Sequence, residues 1–240
     1  GFVPRPEAVR TALADGAKAI ALVSPGNPTG ATIPPDRLRA ILSEAASAGA
    51  RLLLDETYRD FLPPGAGAPH DLLSQGPERA ALVQLYSFSK AYGIAGHRLG
   101  ALLAPPDFVA EAVKVMDNLQ ICAPRGTQAA AAETIAPLAG WRAENAARIA
   151  RRAEVFRAAL ARAPGWEIVS GGAYFAYVRH PFAGTDAVAV AERLAREAGV
   201  VTVRGPFFGA GQEAFVRMAF ANVDEATIET LPDRLALAPA

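Results

Sequence analysis

Short apolar runs and amphipathic stretches alternate along this chain, and the alternation predicts a layered α/β protein. Pro6 to Gly16 sets Ala8, Val9, Ala12 and Leu13 on one helical face. Ala19-Ile20-Ala21-Leu22-Val23 then forms a continuous apolar run of the kind found in buried parallel strands. Pro34-Pro35-Asp36 opens a helix through Ala48, with proline in its first turn and Gly49 past its end, and Arg51-Leu52-Leu53-Leu54 is the next strand. Residues 62–80, rich in Pro, Gly and Ala, read as a surface loop that carries His70 on the outside and can hold a helical turn at Leu72 and Leu73. Two further apolar runs, 81–86 and 99–104, predict buried strands. The connection between them, Phe88 to Arg98, is too short and glycine-rich for a helical crossover, so the second strand should run antiparallel to the first.

Helices follow from Pro106 to about Leu119, from Thr127 to about Leu138 and from Trp141 to Arg162. The last bears Arg148, Arg151, Arg152, Arg157 and Arg162, but Glu144 and Glu154 are interleaved with them, which suits a solvated face better than a binding patch. After Pro164-Gly165 the texture changes to β-β-α-β-β-α: 166–170, 174–178, 186–198, 200–203, 215–220 and Asp224 onward. The expectation is a mostly parallel, three-layer α/β domain with one antiparallel strand over 1–145, a linking helix over 146–163, and a small C-terminal α+β domain over 164–240.

Charge narrows the functional classes. Among 240 residues, 24 basic side chains balance 24 acidic ones, so nothing asks for nucleic acid or an anionic membrane as partner. No apolar stretch approaches the roughly 20 residues of a membrane span, and no metal site is expected. Cys122 stands alone, is expected to pack as a small apolar group, and fits a reducing compartment. The chain reads as soluble and cytoplasmic. It opens Gly-Phe-Val-Pro without Met and soon enters a buried strand, as a fragment would.

The candidate chemistry centres on Lys90. The segment Ser87-Phe88-Ser89-Lys90-Ala91-Tyr92-Gly93-Ile94-Ala95-Gly96-His97-Arg98 joins two strands and anchors the lysine at both ends. A lysine becomes a nucleophile toward an aldehyde only as a neutral amine, which takes a fixed loop, exclusion of water and neighbouring cations. Small hydroxyls and a guanidinium fork are the groups that hold phosphate. Taken alone, such a lysine is more often solvated. Asp55 stands at a strand's carboxyl end, where open α/β sheets bind ligands, although an aspartate there can equally cap a loop. Arg217 falls within the apolar run 215–220, where a guanidinium needs a carboxylate from the protein or from a ligand. Ser24-Pro25-Gly26-Asn27-Pro28-Thr29-Gly30 is a rigid turn with no helix in it.

These segments together resemble the pyridoxal-phosphate aminotransferases of fold type I, class I and II. The matching segments are the Asn27-Pro28-Thr29-Gly30 turn, Asp55-Glu56-Thr57-Tyr58, the Ser87-to-Lys90 loop with Arg98 eight residues on, and Arg217 followed by Ala221-Asn222, all in family order. The resemblance implies transamination between an L-amino acid and a 2-oxo acid, with pyridoxal 5′-phosphate as cofactor. By it Lys90 is the Schiff-base lysine and proton shuttle, and Asp55 pairs with the pyridine nitrogen. Tyr58 and Asn27 bond the ring oxygen, Ser87, Ser89 and Arg98 hold the phosphate, and Arg217, with Asn27, binds the substrate carboxylate. It also implies a homodimer. A lyase or decarboxylase of the same fold would share these residues, and a non-catalytic sensor domain would keep them beside a DNA-binding segment. The family's phosphate-binding turn, ring-stacking aromatic and partner-reaching segment have no counterpart here, so these 240 residues alone are expected to be a poor enzyme.

Overall fold

The structure, a computed structural model, describes residues 2–237. Gly1 and residues 238–240, at the outer ends of the two expected domains, lie outside the described residues. The chain divides into two units, one of residues 3–25 and 32–146, the other of Phe2, residues 26–31 and residues 147–240.

The first unit opens with α1 (Pro6–Ala14), β1 (Ala19–Val23), α2 (Pro35–Ser47) and β2 (Arg51–Asp55). It continues with β3 (Leu82–Ser87), the one-turn helix α3 (Phe88–Ala91), β4 (Gly100–Leu103), α4 (Pro106–Leu119) and α5 (Arg125–Thr134). Its sheet has the order β1-β2-β3-β4. The first three strands run parallel, and β4 is antiparallel to β3. The short Lys90 connection thus reverses the chain as its length required. Leu38, Ile41, Leu42 and Ala45 of α2 pack with Leu52 and Leu54 of β2, and with Val9, Ile33, Leu72 and Leu82, as one buried cluster. The helical spacing of the α2 residues and the period-two spacing of the β2 residues put each set on a single face.

Two expectations of burial are overturned. β1 and β4 are the sheet's outer strands, with residues alternately or mostly exposed. Among the described residues each has a strand neighbour on one side only, and the apolar side chains of both are left partly uncovered. Cys122 is exposed rather than packed; it lies past the end of α4, after Gln120 and the left-handed Ile121.

α6 (Ala139–Leu160) carries the chain from the first unit into the second. The second unit adds β5 (Glu167–Gly172), β6 (Phe175–Arg179), α7 (Ala187–Arg193), β7 (Val203–Arg204), β8 (Phe215–Ala219), α8 (Glu225–Glu229) and α9 (Leu231–Ala236). Its strands form an antiparallel sheet, β5-β6-β8-β7. Ile149, Phe156 and Leu160 of α6 are buried, as are Tyr177, Val178, Val216 and Met218 of the sheet. Arg148, Arg151 and Arg157 are solvated as expected. Arg152 is half-buried and donates to the carbonyl of Ala221 at 2.6 Å. The fold is therefore α/β with a mostly parallel sheet and one antiparallel strand, joined to a smaller α+β unit. Among the described residues no helix is long and apolar enough to cross a membrane.

One contact in the second unit fixes the 26–31 turn. Gly30 has φ +67°, and a Cβ there would collide with the backbone of Gly172 and lie 2.9 Å from the carbonyl carbon of Gly171. Backbone cannot retreat as a flexible side chain can, and the left-handed φ adds its own strain. Gly30→Ala is therefore expected to cost roughly 3 kcal/mol or more. Urea unfolding checks this, and a variant within 1 kcal/mol of the parent would show that the turn yields.

Candidate active site

Parallel pairing brings the predicted residues of the first unit to one end of its sheet. Asp55 is the last residue of β2 and Ser87 the last of β3, so both stand at carboxyl ends of neighbouring parallel strands. Thr57 holds Asp55, its backbone N–H at 2.9 Å and its hydroxyl at 2.7 Å both donating to Oδ1. Buried Tyr58 follows in a turn closed by Arg59 N–H to the carbonyl of Glu56 and Phe61 N–H to the carbonyl of Tyr58, each at 3.0 Å.

The Lys90 loop is shut at its mouth. Ser87 pairs with Gly100, and Phe88 N–H donates to the carbonyl of Leu99 at 3.2 Å. Ser87 caps α3, its Oγ accepting the N–H of Ser89 at 3.2 Å, and Lys90 is the third residue of that turn. The Lys90 side chain lies over the Tyr58 ring, with Nζ 5.9 Å from the ring centre. Arg98, exposed, takes a left-handed φ of 55° and donates from NH1 to the carbonyl of Ala95 at 3.0 Å. Ser87, Ser89, Lys90 and Arg98 thus share one closed loop. Behind it the Tyr86 hydroxyl donates to Asp60 Oδ2 at 2.6 Å, and Arg142 NH1 stands 3.5 Å from Asp60 Oδ1 and donates to the Tyr92 hydroxyl at 3.2 Å. Burial first, and then the Asp60 carboxylate, hold the Tyr86 phenol far above the ordinary tyrosine value, so it remains a donor at any working pH.

The second unit contains the other two predicted residues, 190 positions apart in sequence. Arg217 NH1 donates to Asn27 Oδ1 at 2.7 Å. The Arg217 guanidinium carbon also lies 4.5 Å from the centre of the Phe175 ring and 5.4 Å from that of Phe208. Rings placed so attract a cation through their negative faces and restrict how it can turn.

The sequence reading missed these two rings. The turn Gly205-Pro206-Phe207-Phe208-Gly209 was the available signal for Phe208; Phe175 opens the apolar strand β6, which gave none. It also set His70 on the surface, and the structure corrects this: the side chain is 3% exposed, and Nε2 stands 3.0 Å from Oε1 of the equally buried Glu56. Gln84, a polar residue in the apolar run 81–86, donates to Glu56 Oε2 and was the unread signal of that buried polar site.

Comparison with known proteins identifies the family. The model of the family described as aminotransferase class I and II matches residues 2–235. The aromatic aminotransferase ISS1 of Arabidopsis thaliana is 30% identical over 223 residues, which are 91% of this chain and 54% of that protein. The aspartate/prephenate aminotransferase of Thermus thermophilus is 32% identical over 236 residues, 94% of this chain and 57% of that one. Among solved structures, a mutant of Thermus thermophilus aspartate aminotransferase superposes with a TM-score of 0.87 at 27% identity, over 99% of this chain and 64% of that one. The chain spans about half the length of the curated relatives it matches. With a family model matched almost from end to end, the chain belongs to the class I and II aminotransferases, a family of pyridoxal-phosphate enzymes.

Proposed function

We propose that this chain acts in transamination between an L-amino acid and a 2-oxo acid, with Lys90 as the Schiff-base lysine and proton shuttle of pyridoxal 5′-phosphate. The observation that carries the reading is the stacking of the Lys90 amine over Tyr58 at the sheet end where Asp55 stands. The residues fit the cofactor by the chemistry of their donors. An amine, a carboxylate and a phenol share one end of the sheet, and two hydroxyls and a guanidinium share the amine's loop. Bound pyridoxal phosphate supplies an electron sink for the charge left when the substrate Cα loses its proton.

The chain's own groups then divide the work. Lys90 holds the cofactor through its amine and carries the proton from Cα and back. Asp55, braced by Thr57, keeps the pyridine nitrogen protonated through a charge-assisted hydrogen bond. Tyr58 donates to the ring oxygen. By the family resemblance Asn27 is a second donor to the ring oxygen; its Oδ1 accepts from Arg217, which leaves the amide nitrogen for that role. Ser87, Ser89 and Arg98 bind the phosphate, and Arg217 grips the substrate α-carboxylate. In this reading residues 1–145 belong to a large cofactor domain, although the 26–31 turn groups by contacts with the second unit, 146–163 to a linking helix and 164–240 to a small domain. The protein works as a cytoplasmic homodimer. An exposed lone thiol at Cys122 fits a reducing compartment, and the exposed apolar side chains of Val115, Leu119 and Ile121 suit a contact with a second copy.

A screen of amino donors with the full-length protein tests the reaction class. Release of 2-oxo acid with matched amination of an acceptor is expected, whereas β-elimination or decarboxylation would assign a sister reaction. For Arg217→Lys, amino-acid binding is expected to weaken by about tenfold or more, with cofactor binding little changed, because an ammonium cannot reproduce a two-pronged grip on a carboxylate. Equal losses for both ligands would mark Arg217 as structural.

A further inference from the structure

The first unit's buried face, behind Asp55, carries ionisable groups that this chemistry leaves unused. Leu52, Leu54 and Glu56 point to one side of the chain and Leu53 and Asp55 to the other, as strand alternation dictates. Glu56, 1% exposed, therefore enters the core. Its Oε2 accepts from Gln84 Nε2 and, at 3.4 Å, from Arg59 NH1, and its Oε1 faces His70 Nε2 at 3.0 Å. The other His70 nitrogen, Nδ1, accepts the N–H of buried Leu72 at 3.2 Å. In the neutral ring the proton consequently sits on Nε2, whose 3.0 Å approach to Oε1 is close but not aligned as a hydrogen bond. Replacing buried ionic groups by apolar residues of the same shape is often neutral for stability, so such a cluster is weak evidence of a stabilising role.

We propose that Glu56, held by His70 and Gln84, is the positioning residue that sets Asp55 and Tyr58 for the cofactor. The inference rests on the aminotransferase reading above. Glu56 is fixed at three points: its N–H donates to the carbonyl of Leu85 at 2.8 Å, its carbonyl accepts from Arg59 N–H at 3.0 Å, and its side chain is pinned in the core. Asp55 precedes this fixed residue and Tyr58 lies two positions beyond it, so neither backbone can rotate without breaking one of those contacts. His70 brings in the exposed stretch 63–68, which it ties to the end of β2.

Two substitutions test the proposal in the full-length protein reconstituted with pyridoxal phosphate. Glu56→Gln keeps the shape but turns an amide N–H toward the donor of either Gln84 or His70. His70→Gln removes the pin from the loop side and decides the question alone if the first variant does not fold. Each is expected to slow the half-reaction at saturating amino acid by about tenfold, the cost of a small misplacement of catalytic groups. Amino-acid affinity should stay within about twofold of the parent, and the pH titration of the bound cofactor's visible absorption band should move. The double variant should be no slower than the slower single one, because the two residues act as one unit. Unchanged rates and an unchanged titration, with only a lower melting temperature, would show the cluster to be structural and overturn the proposal. A full-length parent protein that takes up no pyridoxal phosphate would sink the aminotransferase reading itself, and this proposal with it.

Discussion

Lys90→Ala is expected to abolish turnover while leaving the fold intact. The proton shuttle alone accounts for about 10²–10⁴-fold in rate, or about 3–5 kcal/mol of barrier, and loss of the covalent hold on the cofactor adds to it. The loop itself should survive. Its closure rests on the Ser87–Gly100 pairing, the Phe88-to-Leu99 hydrogen bond and the Ser87 cap, all made by other residues. Circular dichroism should be unchanged and the melting temperature within about 4 °C of the parent. A variant that kept a tenth of parental turnover would remove Lys90 from the mechanism.

The second large effect is at Asp55. Asp55→Ala is expected to retain cofactor but to slow loss of the substrate α-proton by on the order of 10²-fold or more, about 3 kcal/mol of barrier, because the pyridine nitrogen would lose its partner and its proton. Alanine also strips Thr57 of the acceptor for its N–H and hydroxyl, so a slow variant could reflect a disturbed turn. Asp55→Asn separates the two causes. Its amide oxygen still accepts from Thr57 while the charge is gone, so it should be nearly as slow as the alanine variant. Half-reaction rates near the parent's in Asp55→Asn would refute the role of the charge.

What the sequence made legible was what short-range chemistry determines. The direction of β4 followed from a connection too brief to cross the sheet, and Asp55 at a strand's carboxyl end followed from the run that precedes it. Contacts between distant segments were beyond its reach. Nothing in the turn around Asn27 or in the run around Arg217 tells that the two meet across 190 positions. Composition placed His70 outside, since a loop of Pro, Gly and Ala is normally solvated. Only the tertiary fold brings it to Glu56 and Gln84. The apolar runs of β1 and β4 correctly announced strands, but apolarity fixes what a strand can bury and not how many neighbours it has.

The central claim, that Lys90 is the residue joined to the cofactor, is tested most directly by chemistry at the bond itself. The protein is loaded with pyridoxal phosphate, reduced with borohydride, digested and mapped by mass spectrometry. The pyridoxyl group is expected on the peptide containing Lys90. A label on Lys18 or Lys114 instead, with Lys90 unmodified, would contradict the account.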